Sequence, residues 1–408
     1  MESAYATVSR IANETYGHSR RIMPAQPWWE NLESSFHKFP DDFELDLLTQ
    51  LMVDGTAAVD LATRTAVASL VSVLALPLSS NPLRLKQDLE DGALYRELAS
   101  SHDAGQFFRF PNVKVDMREG RPGLVHFRPE DGQCRMLSFD SPFQPVNPRL
   151  HDRYLKNQRN RRAIAQYWTH DNGPRPTICV VHGFMADPYW VNSLFLGLPW
   201  FYKMGYDILL YTLPFHGARQ GRWSPFSGHG YFANGISHIS ETVAHSVYDF
   251  RIFLNYLEQR GVPRVGVTGI SLGGYTSAVL AAVDERLHFS IPNVPVVSLF
   301  DLILQWFPAS AVIKTALRLS GMSIKDARHI MAVHCPLTYA SKIPKERLMI
   351  IGGAGDRFAP PKHARLLWDH WDRPAIHWFP GNHLVHLDQG RYLKDVRKFL
   401  EDIGFADD

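Results

Sequence analysis

One stretch decides the fold: RVGVTGISLGGYTSAVLAAV, residues 264–283, where a strand-like run meets a helical run at a Gly-x-Ser-x-Gly turn. Such a turn is too tight for Cβ atoms at its flanks, so Gly269 and Gly273 let the backbone close. Ser271 then projects beyond a sheet edge at the start of a helix, where the positive end of the helix dipole favours a developing anion. This context predicts a nucleophilic serine and disfavours a glycine-rich turn with an incidental serine.

Short apolar runs separated by Gly and Pro turns recur on both sides of this stretch. Several are continuously apolar, as expected for strands that are buried on both faces. Helical patterns lie between most of them, the clearest at residues 237–260, so the sequence predicts an α/β fold with a mainly parallel, doubly wound sheet. The predicted strands are residues 134–139, 163–168, 177–181, 207–211, 264–268, 289–292, 347–352 and 375–379.

A second motif, Val181-His182-Gly183-Phe184, ends the predicted strand at residues 177–181. A tetrahedral intermediate needs two donors aimed at its oxyanion. The backbone N–H of Leu272, directly after the serine, is predicted to be one donor, and that of Phe184 the other. The alternative is an ordinary strand-ending turn, and His182 itself is expected to be structural.

An acid that orients a histidine base belongs at the end of a strand. Asp356 follows the apolar run and glycine-rich turn IIGGAG, residues 350–355. Asp301 competes for the role, but it lies in a helical pattern. The sequence therefore predicts Asp356 as the acid.

Two histidines, His383 and His386, follow the last predicted strand, and either satisfies the chain order Ser, Asp, His. His383 is nearer the turn, whereas His386 would begin the next helix, so His383 is the predicted base and His386 the open alternative. The His-x-x-His spacing has no Cys or carboxylate companions at ligand spacing. No metal site and no cofactor are predicted.

The motifs HGF, LPFHG, GISLGGY, GAGD and WFPGNH occur in an order that resembles the α/β-hydrolase superfamily. The likeness covers about residues 120–408, and the chain is similar in particular to uncharacterised bacterial α/β-hydrolase-domain proteins with a long N-terminal extension. Asn382 departs from the pattern, since the family often has a second glycine before the histidine. The resemblance implies the α/β-hydrolase fold and ester, thioester or related acyl chemistry, without fixing the substrate.

Two further regions flank or interrupt this pattern. Residues 1–119 carry mainly helical signals and no chemical motif, which predicts a helical N-terminal extension ahead of a hydrolase domain at 120–408. Residues 296–345 exceed a simple crossover and predict a helical lid insertion, with a core helix plus connector as the alternative. Trp306 and Phe307 within it are candidate substrate-pocket residues that favour an apolar acyl group. His216, after the predicted strand at residues 207–211, is a further pocket candidate, and the alternative for it is a loop residue satisfied by local hydrogen bonds.

Charge and composition limit the kinds of binding partner and the cellular location that the sequence predicts. The 43 basic and 41 acidic residues give a net charge of +2, so no basic excess indicates nucleic acid. Three cysteines form no disulfide framework and favour a cytoplasmic location. The most apolar early run, residues 66–76, falls short of the ~20 residues of a membrane span. No transmembrane segment is predicted, while peripheral membrane contact and the oligomeric state stay open.

Together these features predict a serine hydrolase that cleaves carboxylic esters with an apolar acyl group through an acyl-enzyme intermediate. The same parts would serve a thioesterase, an amidase or peptidase, or an acyltransferase. A non-catalytic binding protein that retained the fold is the alternative from a different class. The complete set of Ser271, Asp356 and His383 argues against it.

Overall fold

The computed structural model describes residues 27–38, 43, 45, 47–75, 82–387 and 389–406 of the chain. Within them lies a nine-stranded sheet. Its strands are β1 (Arg118–Gly120), β2 (Gly132–Asp140), β3 (Arg162–His170), β4 (Thr177–Val181), β5 (Asp207–Tyr211), β6 (Val265–Ile270), β7 (Leu287–Asn293), β8 (Met349–Gly353) and β9 (Ala375–Phe379). Their spatial order is β1-β2-β3-β5-β4-β6-β7-β8-β9.

The sheet is mixed, with a parallel half that carries the predicted motifs. Strands β1, β2, β3 and β5 pair antiparallel, whereas β5, β4, β6, β7, β8 and β9 run parallel. The carboxyl ends of the parallel strands therefore meet at one edge, which is where open α/β sheets place their sites. We call this the catalytic edge.

The predicted strands correspond to β2 through β9, and β1 was missed. β1 has only three residues, all exposed, so it lacks the apolar signal that marks a buried strand. It pairs with β2 through Arg118↔Ser138, Glu119↔Leu137 and Gly120↔Met136. The sheet thus begins before residue 120, which was the predicted start of the hydrolase domain.

Helices cover both faces of the sheet, as the sequence pattern predicts. The longest helix of the hydrolase region spans residues 236–259, against a prediction of 237–260, and nearly all of its residues up to Leu254 are buried. The helices are α1 (Trp28–Asn31), α2 (Leu47–Leu74), α3 (Pro82–Ser100), α4 (Ala104–Phe107), α5 (His151–Leu155), α6 (Tyr189–Phe195), α7 (Leu198–Lys203), α8 (His229–Phe232), α9 (Ile236–Gln259), α10 (Leu272–Val283), α11 (Leu299–Ile303), α12 (Ala309–Ser320), α13 (Ile324–Ala332), α14 (Pro361–His370) and α15 (Gln389–Asp402).

The described part of the N-terminal extension packs on the hydrolase region instead of standing apart from it. Helix α3 contacts α9, α12 and α13, so the extension meets helices within residues 296–345, the predicted lid insertion. Val71 and Leu85 belong to the same hydrophobic core cluster as the sheet residues Leu209 and Val267. One continuous core therefore joins residues assigned by sequence to two regions.

Polar contacts also tie α3 to the start of α9. Gly235, with φ 96°, precedes α9, and no side chain next to it in sequence caps the helix. The Asp88 carboxylate on α3 accepts the N–H groups of Ile236 (3.0 Å) and Ser237 (3.3 Å) instead. These are donors that a helix leaves unsatisfied at its N-terminus. A residue from the extension thus completes the cap of a central helix.

Helix α2 is longer than the apolar run at residues 66–76. It runs through Gly55 as one helix of 28 residues, and it is long and apolar enough to cross a membrane by length and composition. Residues 66–74 of the apolar run noted in the sequence form the last turns of this helix. Asp60 on α2 is buried against the catalytic edge, so one face of the helix belongs to the folded protein.

Candidate active site

The predicted nucleophile turn adopts a strained conformation at the end of β6. Ser271 has φ 57° and ψ −112°, a region that few non-glycine residues occupy. Its N–H donates to the Asn293 carbonyl oxygen (3.0 Å), and its carbonyl accepts from the Tyr275 N–H (2.9 Å) as α10 begins. A Cβ on Gly269 would lie 2.5 Å from the Gly273 oxygen, and one on Gly273 would collide with Val181. The flanking glycines are therefore required by the close approach of the backbone.

The loop after β4 lies directly against this turn. A Cβ on Gly183 would lie 3.3 Å from the Ile270 oxygen and 3.5 Å from the Ser271 Cβ, so only glycine allows this approach without displacement. Phe184 and Leu272, the two predicted oxyanion-hole residues, line the same cavity as Ser271. The structure thus brings both sides of the predicted oxyanion hole to the serine.

His182 holds this loop in place. Its Nδ1 donates to the Gly183 carbonyl oxygen (2.8 Å), and its Nε2 accepts the Leu213 N–H (3.0 Å). Burial lowers the pKa of His182, which favours the neutral ring that this pair of bonds requires. The expected structural role of His182 fits these contacts.

Asp356 and His383 form a buried pair on the loops after β8 and β9. His383 Nδ1 donates to Asp356 Oδ2 at 2.7 Å. The other oxygen, Oδ1, accepts the N–H groups of Phe358 (2.8 Å) and Ala359 (2.7 Å), which fixes the carboxylate. Because Nδ1 carries the proton in this bond, Nε2 is left as the acceptor nitrogen, as a general base requires.

The environment of His383 favours its protonated form. Burial lowers the pKa of the ring, but the charge of Asp356 and its hydrogen bond outweigh burial, so the pKa lies above its usual value of 6.5. A carboxylate that stabilises an imidazolium is the electrostatic arrangement of a Ser-His-Asp site.

The two competing residues lie elsewhere. Asp301 is in α11, where it is fully buried against Arg328 with N–O distances of 2.6 and 2.9 Å. His386 Nδ1 contacts the Tyr392 hydroxyl (3.2 Å), and burial lowers the pKa of His386 to about 3. Neither residue contacts Asp356 through a hydrogen bond among the described residues.

An apolar cavity of about 140 Å³ opens at Ser271. Phe358 lines it, and the Phe358 ring stacks on the His383 imidazole at 5.2 Å between centroids. The cavity therefore connects the nucleophile with the histidine side of the site. Residues from the insertion supply much of its wall: Val296, Leu299, Phe300, Leu302, Ile303, Trp306, Ile313 and Leu317. Residues from the extension complete it: Val71, Ala75 and Leu85.

The three predicted pocket residues differ in position. Trp306 lines the cavity, and its Nε1–H donates to the Phe358 carbonyl oxygen (3.2 Å). Phe307 is 68% exposed and does not line it, so this prediction was wrong. The Trp306 side chain therefore faces the cavity, whereas the adjacent Phe307 side chain faces solvent.

His216 was also predicted wrongly as a pocket residue. It is fully buried and lies behind the cavity, with ring contacts to His182 (4.9 Å), Phe184 (6.0 Å) and Tyr231 (5.7 Å). Burial lowers the pKa of His216 well below its usual value. Its Nδ1 donates to the Pro214 carbonyl oxygen at 2.9 Å, which makes it a packing residue under the loop after β4.

Sequence reasoning missed Asp60 on α2. Its Oδ2 accepts the N–H groups of both Arg357 (3.0 Å) and His383 (2.8 Å), and the side chain is fully buried. The available signal was an aspartate between Val59 and Leu61 in an apolar helical segment. An aspartate is costly to bury there without a partner, so its position indicates a specific contact.

No group of three or more His, Cys, Asp or Glu side chains suited to a metal ion occurs within the described ranges.

The chain is similar to a serine-hydrolase family model and to esterases of known structure. A protein-family model described as serine hydrolase (FSH1) matches residues 234–388, the stretch that contains Ser271, Asp356 and His383. The described fold resembles acetyl xylan esterase 1 from Thermoanaerobacterium sp. JW/SL YS485, with a TM-score of 0.52, 17% identity, and coverage of 77% of this chain and 94% of that one. An acetyl xylan esterase from Paenibacillus sp. R4 gives a TM-score of 0.53, 15% identity, and coverage of 76% and 94%.

The chain has the α/β-hydrolase fold, and the family match supports a serine hydrolase. It is also similar to uncharacterized proteins of two Mycobacterium tuberculosis strains, CDC 1551 / Oshkosh and ATCC 25618 / H37Rv. Each is 28% identical over 283 residues, which make up 66% of this chain. The chain spans 65% of the length of these curated relatives.

Proposed function

We propose that this protein is a carboxylic-ester hydrolase that acts on esters with an apolar acyl group. The observation that carries the proposal is the strained Ser271 turn opening onto an apolar cavity beside the Asp356–His383 pair. Backbone strain at a nucleophile persists only where the surrounding structure enforces it, and such strain clusters at active sites. The positive φ of Ser271 therefore favours an enzyme over a binding protein that retained the fold.

The mechanism follows the roles of the three side chains. Ser271 Oγ attacks the ester carbonyl carbon while His383 Nε2 takes the hydroxyl proton. The resulting oxyanion is held by the N–H groups of Phe184 and Leu272. As the intermediate collapses, the C–O bond breaks and His383 returns the proton to the leaving alcohol. Asp356 keeps the imidazole oriented and stabilises its charged form.

Hydrolysis of the acyl-enzyme repeats these steps with water. A water molecule gives its proton to His383 Nε2 and attacks the acyl carbon. Ser271 then leaves with the proton that His383 has carried, and the carboxylic acid departs. These steps conserve atoms and charge without a redox partner or a cofactor.

The cavity supports the preference for an apolar acyl group. Its volume of about 140 Å³ is close to that of the ~150 Å³ apolar protein cavity that accepts benzene. An acyl chain of about six carbons therefore suits the space, and each buried methylene contributes about 0.8 kcal/mol.

Covalent labelling tests the proposal. The wild-type protein is treated with a fluorophosphonate probe and assayed with p-nitrophenyl hexanoate, in parallel with Ser271→Ala. We expect Ser271→Ala to lose labelling and to reduce turnover by about 10³-fold or more with the fold intact. Ser277→Ala is a matched control, since that buried hydroxyl bonds the Gly273 carbonyl oxygen (2.8 Å) on the same helix.

The outcomes separate the candidate activities. Unchanged labelling in Ser271→Ala would refute Ser271 as the nucleophile. Labelling of the wild type without turnover of any ester would leave the nucleophile in place and point to a thioester or amide substrate.

A further inference from the structure

Helix α2 reaches the two loops that carry the acid and the base. Asp60 Oδ2 accepts the Arg357 N–H at 3.0 Å, one residue beyond Asp356, and the His383 N–H at 2.8 Å. One carboxylate oxygen thus bonds to the backbone of both loops at the point where they present the Asp356–His383 pair. The Asp60 side chain is fully buried, so these bonds are shielded from water.

Other α2 residues reinforce the same junction. The Asn382 Nδ2 donates to the Thr56 carbonyl oxygen (2.6 Å), next to His383. The Arg64 guanidinium donates to the Arg357 carbonyl oxygen (2.6 Å). The acid loop and the base loop are therefore held against one helix by contacts on both sides of Asp60.

Asp60 also adds a charge to the site. Burial raises the pKa of Asp60 to about 6, and the nearby Asp356 adds to the rise. The negative charge of Asp60 in turn raises the pKa of His383. The other charged or titratable groups that act on this cluster are Arg64, Arg357 and His386.

The contacts of Asp60 differ from those of a carboxylate in an ordinary buried ion pair. Oδ1 has no hydrogen-bond partner among the residues that the structure describes. Burying a carboxylate with one unpaired oxygen is energetically costly. The backbone N–H groups of Arg357 and His383 are the hydrogen-bond donors that Asp60 has among the described residues.

We propose that Asp60 is a positioning residue of the active site, which aligns the acid and base loops through one oxygen and places a carboxylate beside His383. The proposal rests on the proposed function. It gives helix α2 of the N-terminal extension a part in positioning the catalytic residues. Asp60 does not touch the substrate, since it is not among the residues that line the cavity.

Two substitutions separate alignment from charge. Asp60→Ala removes the acceptor and leaves two buried N–H groups unpaired, whereas Asp60→Asn keeps an acceptor oxygen and removes the charge. Fluorophosphonate labelling rate constants and steady-state hydrolysis of p-nitrophenyl hexanoate are measured between about pH 5 and 9. A labelling rate constant reports the folded protein, so loss of material does not lower it.

We expect Asp60→Ala to reduce the labelling rate constant and kcat by about 10²-fold, with KM changed by less than about threefold, because misaligned loops affect chemistry more than binding. Asp60→Asn should recover most of this rate. It should also move the acid-side midpoint of the pH profile to lower pH, because a negative charge near His383 is lost. Asp54 is exposed on the same helix, and Asp54→Ala and Asp54→Asn serve as matched controls that should match the wild type.

Each outcome decides a separate point. If Asp60→Ala does not fold, the pH midpoint of Asp60→Asn still tests the charge. An unshifted midpoint in Asp60→Asn, or a wild-type rate constant in Asp60→Ala, would overturn the inference. Failure of the wild type to label would instead overturn the proposed function.

Discussion

Trp306 should set how strongly the protein prefers longer acyl chains. It is 7% exposed and forms part of the cavity wall, where its ring meets Phe358 edge-on at 5.5 Å. At about 0.8 kcal/mol for each buried methylene, efficiency should rise about fourfold per carbon. From acetyl to hexanoyl esters the rise is roughly 200-fold, after which the cavity is full.

Trp306→Ala should flatten this dependence. Removing the indole lets water reach one side of the acyl chain, which leaves about half of the gain, or about twofold per carbon. The acetyl ester should be affected least, because Ser271 and its oxyanion donors stay in place. The same change costs about 3–5 kcal/mol of folding stability, as buried aromatic truncations do, so Trp306→Leu is measured as a milder second variant.

The assay compares kcat/KM across p-nitrophenyl esters from acetyl to decanoyl, alongside melting temperatures. Phe307→Ala is the matched control, because Phe307 is adjacent in sequence but 68% exposed and outside the cavity. It should leave the chain-length profile unchanged. Equal profiles for Trp306→Ala and Phe307→Ala, or a uniform loss on all esters in Trp306→Leu, would refute the assignment of the acyl pocket.

Three further predictions concern titrating groups. His383→Ala should cost about as much activity as Ser271→Ala, whereas His386→Ala should cost far less, and kcat measurements showing the reverse order would move the base to His386. In the wild type, kcat/KM should fall as the pH drops through a His383 pKa above 6.5, because the base must be neutral to accept a proton. Burial raises the pKa of Asp88 from 3.8 to about 6, so the folded state holds its proton more tightly and stability should decline by about 3 kcal/mol as the pH rises through this window. Asp88→Asn should remove that part of the slope in denaturant titrations, and an unchanged slope would contradict the assignment.

Local patterns were sufficient for the positions of strands β2 to β9 along the chain and for the positions of the main motifs. The Ser271 turn, the loop after β4 and the Asp356 turn each lie within about ten residues of an apolar strand, so the signal is contained in the neighbouring sequence. The short strand β1 was missed, because an exposed three-residue strand has no apolar pattern.

The sequence by itself determined the α/β architecture and a candidate nucleophile, acid and base, because strand, turn and helix signals are local. Only the tertiary structure decided that His383, and not His386, bonds Asp356, and that Trp306 faces the cavity while Phe307 faces solvent. It also brought Asp60 to His383 from 323 residues away in the chain. Such a contact depends on how α2 packs across the catalytic edge, and packing over that separation leaves no periodic pattern in the sequence around either residue.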